Sequence, residues 1–338
     1  MASKQRLTEL DALRGLAALA VVLYHYFYRY DALYGHPGLA VDWAYAGRFG
    51  VHLFFIISGF VIFWTLNRVE RPVDFVVSRV SRLYPVYWFA VALTYCVVSV
   101  MGLPGREVDS VAALANLLMC HQWFGIPHVD GVYWTLTVEL MFYVWMFGLF
   151  LIGLLKQAER IFMVVMVADV VVRLSGSDMP PFLSQLLILP YLPMFTAGIC
   201  FYKIWQGLQT NAAYRTLLMC AVILGINYSV SQFALMLLIM LSFWLAVIRG
   251  ALGFLTWRPL VFLGTISYSL YLVHQNLGYV VIQLFYGQDW PAVAGMLTAM
   301  VLSLLIASLM TYGIEQPVLR WVRQRYPRRP FSPQTSER

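Results

Sequence analysis

Arg14 and His25 stand eleven residues apart in one apolar run, DALRGLAALAVVLYHYFYRY, from Asp11 to Tyr30. On an α-helix that spacing is three turns and about 20° more, so both side chains leave one face, roughly 16 Å apart along the axis. A guanidinium can hold a phosphate, and an imidazole can take a proton or carry an acyl group. The structural alternative is a snorkelling arginine and a histidine satisfied by a neighbouring helix. A second set of arginines follows in RVERPVDFVVSRVSRLYP, where Arg79 and Arg82 are three apart and share a helix side with Arg68 and Arg71 nearby. Such a cluster binds lipid head groups or a soluble phosphate-bearing ligand. Glu139 lies in YWTLTVELMFY and His274 in SYSLYLVHQN, each in an otherwise apolar stretch. A Glu139–His25 pair across a helix interface would fix the imidazole tautomer and stabilise the imidazolium. Ser58, with Gly59 in FFIISGF, makes a small face for a close helix or ligand.

These groups need a scaffold, and composition names it. The chain has 338 residues, 61% hydrophobic and only 12% charged, with mean hydropathy +0.72. That balance excludes a soluble domain and points to a polytopic membrane protein, since about 20 apolar residues cross a bilayer. Ten apolar segments are long enough, at roughly 11–30, 49–66, 83–102, 132–155, 160–174, 185–205, 213–230, 232–249, 260–286 and 291–313. The stretch 110–124 reads as re-entrant or interfacial. The first apolar run lacks a small-residue cleavage site and reads as a retained helix. An all-α protein of about ten transmembrane helices is expected, with a transmembrane domain over 1–320 and a basic tail over 321–338.

With the N-terminus inside, eighteen Lys and Arg fall on the inner side and four outside, namely Arg29, Arg48, Arg106 and Arg173. The bias places both termini in the cytoplasm. The net charge of +7 sits in loops and tail, which suits a membrane and its lipids, not nucleic acid. The tail reads as an interfacial anchor followed by disorder. Asp169 and Arg173 are spaced to neutralise each other on one helix. Cys96, Cys120, Cys200 and Cys220 are scattered and indicate neither a disulfide framework nor a metal site.

Taken in order, LRGLAALAVVLYH, FFIISGF, SRVSR, WTLTVELMFY, SYSLYLVHQ and YGIEQPVLR resemble the membrane-bound acyltransferase-3 family over nearly the whole length. That family comprises bacterial enzymes transferring acyl groups, usually acetyl, to carbohydrates. The resemblance implies ten core helices in the cytoplasmic membrane and acetyl-CoA or another acyl-CoA as cosubstrate, with no metal. It implies a catalytic His25 and donor-gripping arginines, here Arg14, Arg79 and Arg82. Glu139 is expected to orient His25, and Ser58, Trp134 and His274 are further pocket candidates. Thr135, Leu140 and Gln316 depart from residues frequent in the family. An appended hydrolase-like domain, fused to some members, is not expected. The acceptor is a carbohydrate or glycolipid whose identity, like the oligomeric state, the residues do not specify. The competing class is a proton-coupled secondary transporter, which would also place Arg, His and Glu within the membrane. The absence of an internal repeat argues against it.

Overall fold

The computed structural model describes residues 7–36, 38–288 and 290–326. One long helix falls on each of the ten apolar segments. They are α1 (Thr8–Leu23), α2 (Gly50–Leu66), α3 (Pro72–Met101), α4 (Trp134–Leu151) and α5 (Ala158–Leu174). The second half supplies α6 (Leu192–Trp205), α7 (Thr210–Asn227), α8 (Val230–Phe243), α9 (Arg258–Tyr286) and α10 (Ala292–Met310). No strand occurs among the described residues. Among the described residues, six helical stretches are long and apolar enough to cross a membrane: Thr8–Tyr34, Asp42–Leu66, Pro72–Met101, Gly131–Leu151, Val230–Ile248 and Ala292–Arg325.

Of the other four segments, α6 and α9 differ for physical reasons. At 14 residues, α6 is only about 21 Å long. By contrast α9 has 29 residues, but carries Ser267, Ser269, His274, Gln275 and Asn276, all buried. A helix enclosed by its neighbours tolerates polar side chains that a lipid-facing one does not. Between α3 and α4, the interfacial stretch resolves into a short helix, Ser110–Asn116, and a 3₁₀ turn, His121–Phe124. The expected tail anchor begins as a helix, Gln316–Arg325. The disorder expected beyond it, and the inner charges Lys4, Arg6, Arg328, Arg329 and Arg338, lie outside the described residues.

Two glycines set the packing that matters most. A Cβ on Gly264 of α9 would sit 1.8 Å from Asp11 O of α1, and one on Gly15 would sit 2.6 Å from Gly264 N. Only glycine lets the two backbones meet there. His25 and His274 each lie ten residues beyond their glycine. Because the helices run parallel from this crossing, the two rings meet. A similar close approach joins α2 to α6, where a Cβ on Gly59 would fall 2.1 Å from Phe195 O.

Candidate active site

After α1 the helix widens into a π-helical turn, Tyr24–Arg29, and His25 is its second residue. π-Bulges often occur at functional sites because they turn side chains out of regular register. The rings of His25 and His274 meet edge to face with centroids 4.9 Å apart. His274 is fully buried, with Nδ1 2.9 Å from Tyr271 O and 3.1 Å from Leu270 O. A carbonyl only accepts, so in the neutral ring Nδ1 carries the proton and Nε2 the lone pair. That Nε2 lies 3.1 Å from His25 Nδ1, which is also 2.9 Å from Val21 O. His25 Nδ1 therefore donates to both, and the lone pair of His25 is left on Nε2. Backbone carbonyls thus assign both tautomers.

His25 lines a cavity of about 600 Å³ together with Trp134, Arg29, Arg48, Arg106 and Gln275; this cavity is labelled outer, and the one beyond the arginines inner, after the orientation expected from the charge count. Trp134 packs on Tyr191, ring centroids 5.3 Å apart. Asp130, beside the lining residue Gly131, is fully buried and faces away into protein. Its Oδ2 accepts from Asn276 N at 3.0 Å and its Oδ1 from Val132 N at 3.2 Å. Burial pushes its carboxyl up to about 6, against the pull of those two donors. Asp130 thereby fastens the start of α4 to α9, one residue past Gln275.

Arg14, Arg79 and Arg82 converge on a second, narrower space of about 90 Å³, lined also by Ser58, Glu139 and Tyr143. Arg79 and Arg82 in turn border a third cavity of about 590 Å³, with Arg323 of the tail helix and Tyr326 just beyond it on its wall. The narrow space shares Val51 and Tyr271 with the outer cavity. Tyr271 is held by a 2.7 Å hydrogen bond between its hydroxyl and Thr135 Oγ1. A wide inner chamber, a throat and a wide outer chamber therefore adjoin in series.

One expected pairing does not form. Glu139 does not meet His25; it lines the arginine throat and accepts hydrogen bonds from the Ser58 and Tyr143 hydroxyls. Trp134 opens α4 at the outer chamber, and Glu139 lies five residues further on. That is roughly 7.5 Å along the axis and about 140° around it. His25 is directed to α9 instead by the Gly15–Gly264 crossing. Of the other expected residues, Arg14, Arg79 and Arg82 share one space, Ser58 joins them, and Trp134 and His274 gather around His25. Arg14 is also 3.5 Å from Asp11. The residues not anticipated in the site are Arg29, Arg48, Arg106, Tyr143, Tyr271 and Gln275.

A family model described as an acyltransferase domain matches residues 7–312. The chain is 27% identical over 307 residues to the exopolysaccharide production protein ExoZ of Rhizobium meliloti, covering 82% of this chain and 92% of that protein. It is 27% identical over 176 residues to the peptidoglycan O-acetyltransferase OatA of Listeria monocytogenes, covering 47% of this chain and 26% of that one. Over 145 residues it is 26% identical to the acyltransferase MdmB of Streptomyces mycarofaciens, covering 41% and 38%. It thus spans nearly all of the first relative but well under half of the other two. No solved structure matches it. The match over 7–312, on a helical scaffold that holds an accessible imidazole beside an arginine-lined passage, places the chain in the acyltransferase-3 family as an acyltransferase.

Proposed function

We propose that this acyltransferase takes an acetyl or other short acyl group from cytoplasmic acyl-CoA and passes it to a carbohydrate hydroxyl at the outer side of the membrane. The observation that carries this reading is the series of three adjoining cavities, arginine-rich at one end and holding His25 at the other. In this arrangement all ten long helices cross the bacterial cytoplasmic membrane and both termini are cytoplasmic. Arg79 and Arg82 hold the phosphates of coenzyme A in the inner chamber. Arg14 guides the arm through the throat, and the thioester reaches the outer chamber past Tyr271. The roughly 16 Å from Arg14 to His25 is of the order of the pantetheine arm.

His25 Nε2 then removes the proton from the acceptor hydroxyl as its oxygen attacks the thioester carbonyl. The C–S bond breaks, and the coenzyme A thiolate takes the proton back from the imidazolium. In a two-step variant Nε2 attacks the carbonyl itself and the C–S bond breaks to release the coenzyme A thiolate. The acyl-imidazolium then passes its group to the acceptor hydroxyl, whose proton goes to the thiolate, and Nε2 regains its lone pair. Either way His274 accepts from Nδ1–H and keeps Nε2 toward the substrate. Glu139 acts in the throat, holding Ser58 and Tyr143 beside the arginines.

Purified protein in lipid nanodiscs should release free thiol from acetyl-CoA beyond one equivalent per enzyme only when a carbohydrate acceptor is present, and should use the dephospho-coenzyme A thioester poorly. Equal use of both thioesters would remove the phosphate-gripping role of the arginines. Orientation is read separately. A cysteine introduced near Gly105 should react with an impermeant thiol reagent in intact cells, and one near Arg329 should not. The reverse pattern would overturn a cytoplasmic donor.

A further inference from the structure

Only four arginines fall on the minority side of the charge count, and three of them, Arg29, Arg48 and Arg106, line the outer chamber beside His25. The fourth, Arg173, is closed by an ion pair to Asp169 at 2.9 Å. Among the described residues, none of the three has a carboxylate within 4.0 Å. Arg48 donates to the Tyr45 hydroxyl at 2.9 Å, and Arg106 lies 5.8 Å from the centroid of the Tyr279 ring. No Asp or Glu lines the chamber. Gln275, only 3% exposed, lines the same wall, and its Oε1 has no hydrogen-bond partner. A polar atom buried without a partner is costly unless a ligand completes it.

Three guanidinium groups around one concavity whose wall carries no carboxylate, with only the buried Asp130 acting on Arg106 from behind that wall, have the make-up of an oxyanion site. We propose that the acceptor is an anionic glycan or glycolipid, and that Arg29, Arg48 and Arg106 grip its carboxylate or phosphate so that a neighbouring hydroxyl lies at His25. Gln275 Oε1 accepts from a hydroxyl of the same sugar. The bound anion also supplies the counter-charge for the imidazolium formed during transfer, which the chamber wall does not. This inference rests on the acyl-transfer reading and names its substrate class.

The test uses the full chain in phosphatidylcholine nanodiscs and two pairs of probes. Trigalacturonate is compared with its methyl ester, and geranylgeranyl diphosphate with geranylgeraniol. At least one charged probe should bind more tightly than its neutral partner, less so as salt rises. The tighter of the two charged probes shows whether carboxylate or phosphate is read. Arg106→Gln and the double variant Arg29→Gln/Arg48→Gln should each weaken that probe by about tenfold or more, the loss of a charge-assisted contact. Binding of acetyl-CoA, measured on the same samples, should not change and reports that the variants are folded. The proposal is overturned if charged and neutral probes bind alike, if neither charged probe binds, or if the variants bind like the parent. It is equally overturned if the variants lose only phosphatidylglycerol retained in native mass spectra, since the arginines then hold lipid headgroups. Acetyl-CoA binding and thiol release report the donor reaction independently, so failure here leaves the acyl-transfer reading standing.

Discussion

The two chambers on either side of Tyr271 are both rich in arginine, yet they treat charge differently. The throat at the inner chamber brings Arg14, Arg79 and Arg82 together with Glu139, whose carboxylate is already engaged by Ser58 and Tyr143. The outer chamber collects Arg29, Arg48 and Arg106 with two histidines, His25 and His52, and no carboxylate on its wall. A site that binds a highly charged ligand and must release it gains from a resident negative charge, because every added cation tightens the product as well as the substrate. A site where positive charge develops on an imidazole has the opposite need, and here the protein leaves it unmet. The difference is what the proposed division needs, with donor binding at one end and base chemistry, with an anion brought by the substrate, at the other.

The sharpest way to break that division is at His25. Glutamine retains a hydrogen bond but accepts no proton near neutrality. His25→Gln should therefore lose transfer by about 10²–10⁴-fold while acetyl-CoA still binds, which calorimetry on the same protein would read. Loss of donor binding with loss of transfer would mean that the two chambers are one site. Radiolabelled acetyl-CoA without acceptor separates the two routes. A labelled band present in the parent and absent in His25→Gln marks an acyl-histidine, and no band in the parent marks direct transfer.

At the inner end the expected effect is on KM. Arg79→Ala or Arg82→Ala removes one charge-assisted phosphate contact, costing about 1.5–3 kcal/mol, or roughly 10- to 150-fold in kcat/KM. Most of that loss should appear as a raised KM for acetyl-CoA. Unchanged kinetics with both variants would take the coenzyme A phosphates away from this chamber.

His274 sharpens the comparison from behind the base. Its Nε2 receives the Nδ1 proton of His25, and glutamine can place a carbonyl oxygen near the same point. His274→Gln should cost about tenfold and shift the acid limb of the pH–rate profile, because the neighbour that holds the imidazole has changed. If this variant abolishes transfer and His25→Gln leaves most of it, the base is on α9.

Much of this was legible in the sequence because it depended on local spacing. The spacing of Arg14 and His25 predicted one face of an α-helix, where the structure interposes a π-helical turn from Tyr24 that holds His25, and the Asp169–Arg173 pair closes at i,i+4 as that spacing requires. Each of the ten long helices lies on an apolar segment. What depended on which helices touch was not legible from single stretches. Glu139 and His25 both sit in apolar runs at comparable depth, and depth alone could not decide that α9, not α4, packs on α1. A signal was nevertheless present. Glycine precedes histidine by ten residues in both GLAALAVVLYH and GTISYSLYLVH, the pattern two parallel helices need if they cross at glycine and bring their histidines together. The outer arginines were equally visible as four exceptions to the charge bias. Their convergence required the fold, because Arg29, Arg48 and Arg106 come from three separate segments.

Glu139 gives the smallest effect and the cleanest division between the two chambers. If it oriented the imidazole, as the sequence alone suggested, Glu139→Gln would move the acid limb of the pH–rate profile and lower kcat. In the structure its carboxylate stands among Arg14, Arg79 and Arg82, the arginines proposed to bind the donor, and the two hydroxyls that donate to it can donate as well to an amide oxygen. The substitution therefore keeps the packing and removes one negative charge beside an anionic ligand. Acetyl-CoA should then bind more tightly, with KM lower by about two- to fivefold, the Coulombic effect of one charge through a solvated cavity. Added salt should shrink that gain. The pH–rate profile should stay where it is, because His25 answers to His274 and to the far chamber. A raised KM would mean that Glu139 positions the arginines more than it opposes the ligand. A shifted acid limb with unchanged KM would return the carboxylate to the imidazole and join the two chambers into one catalytic unit.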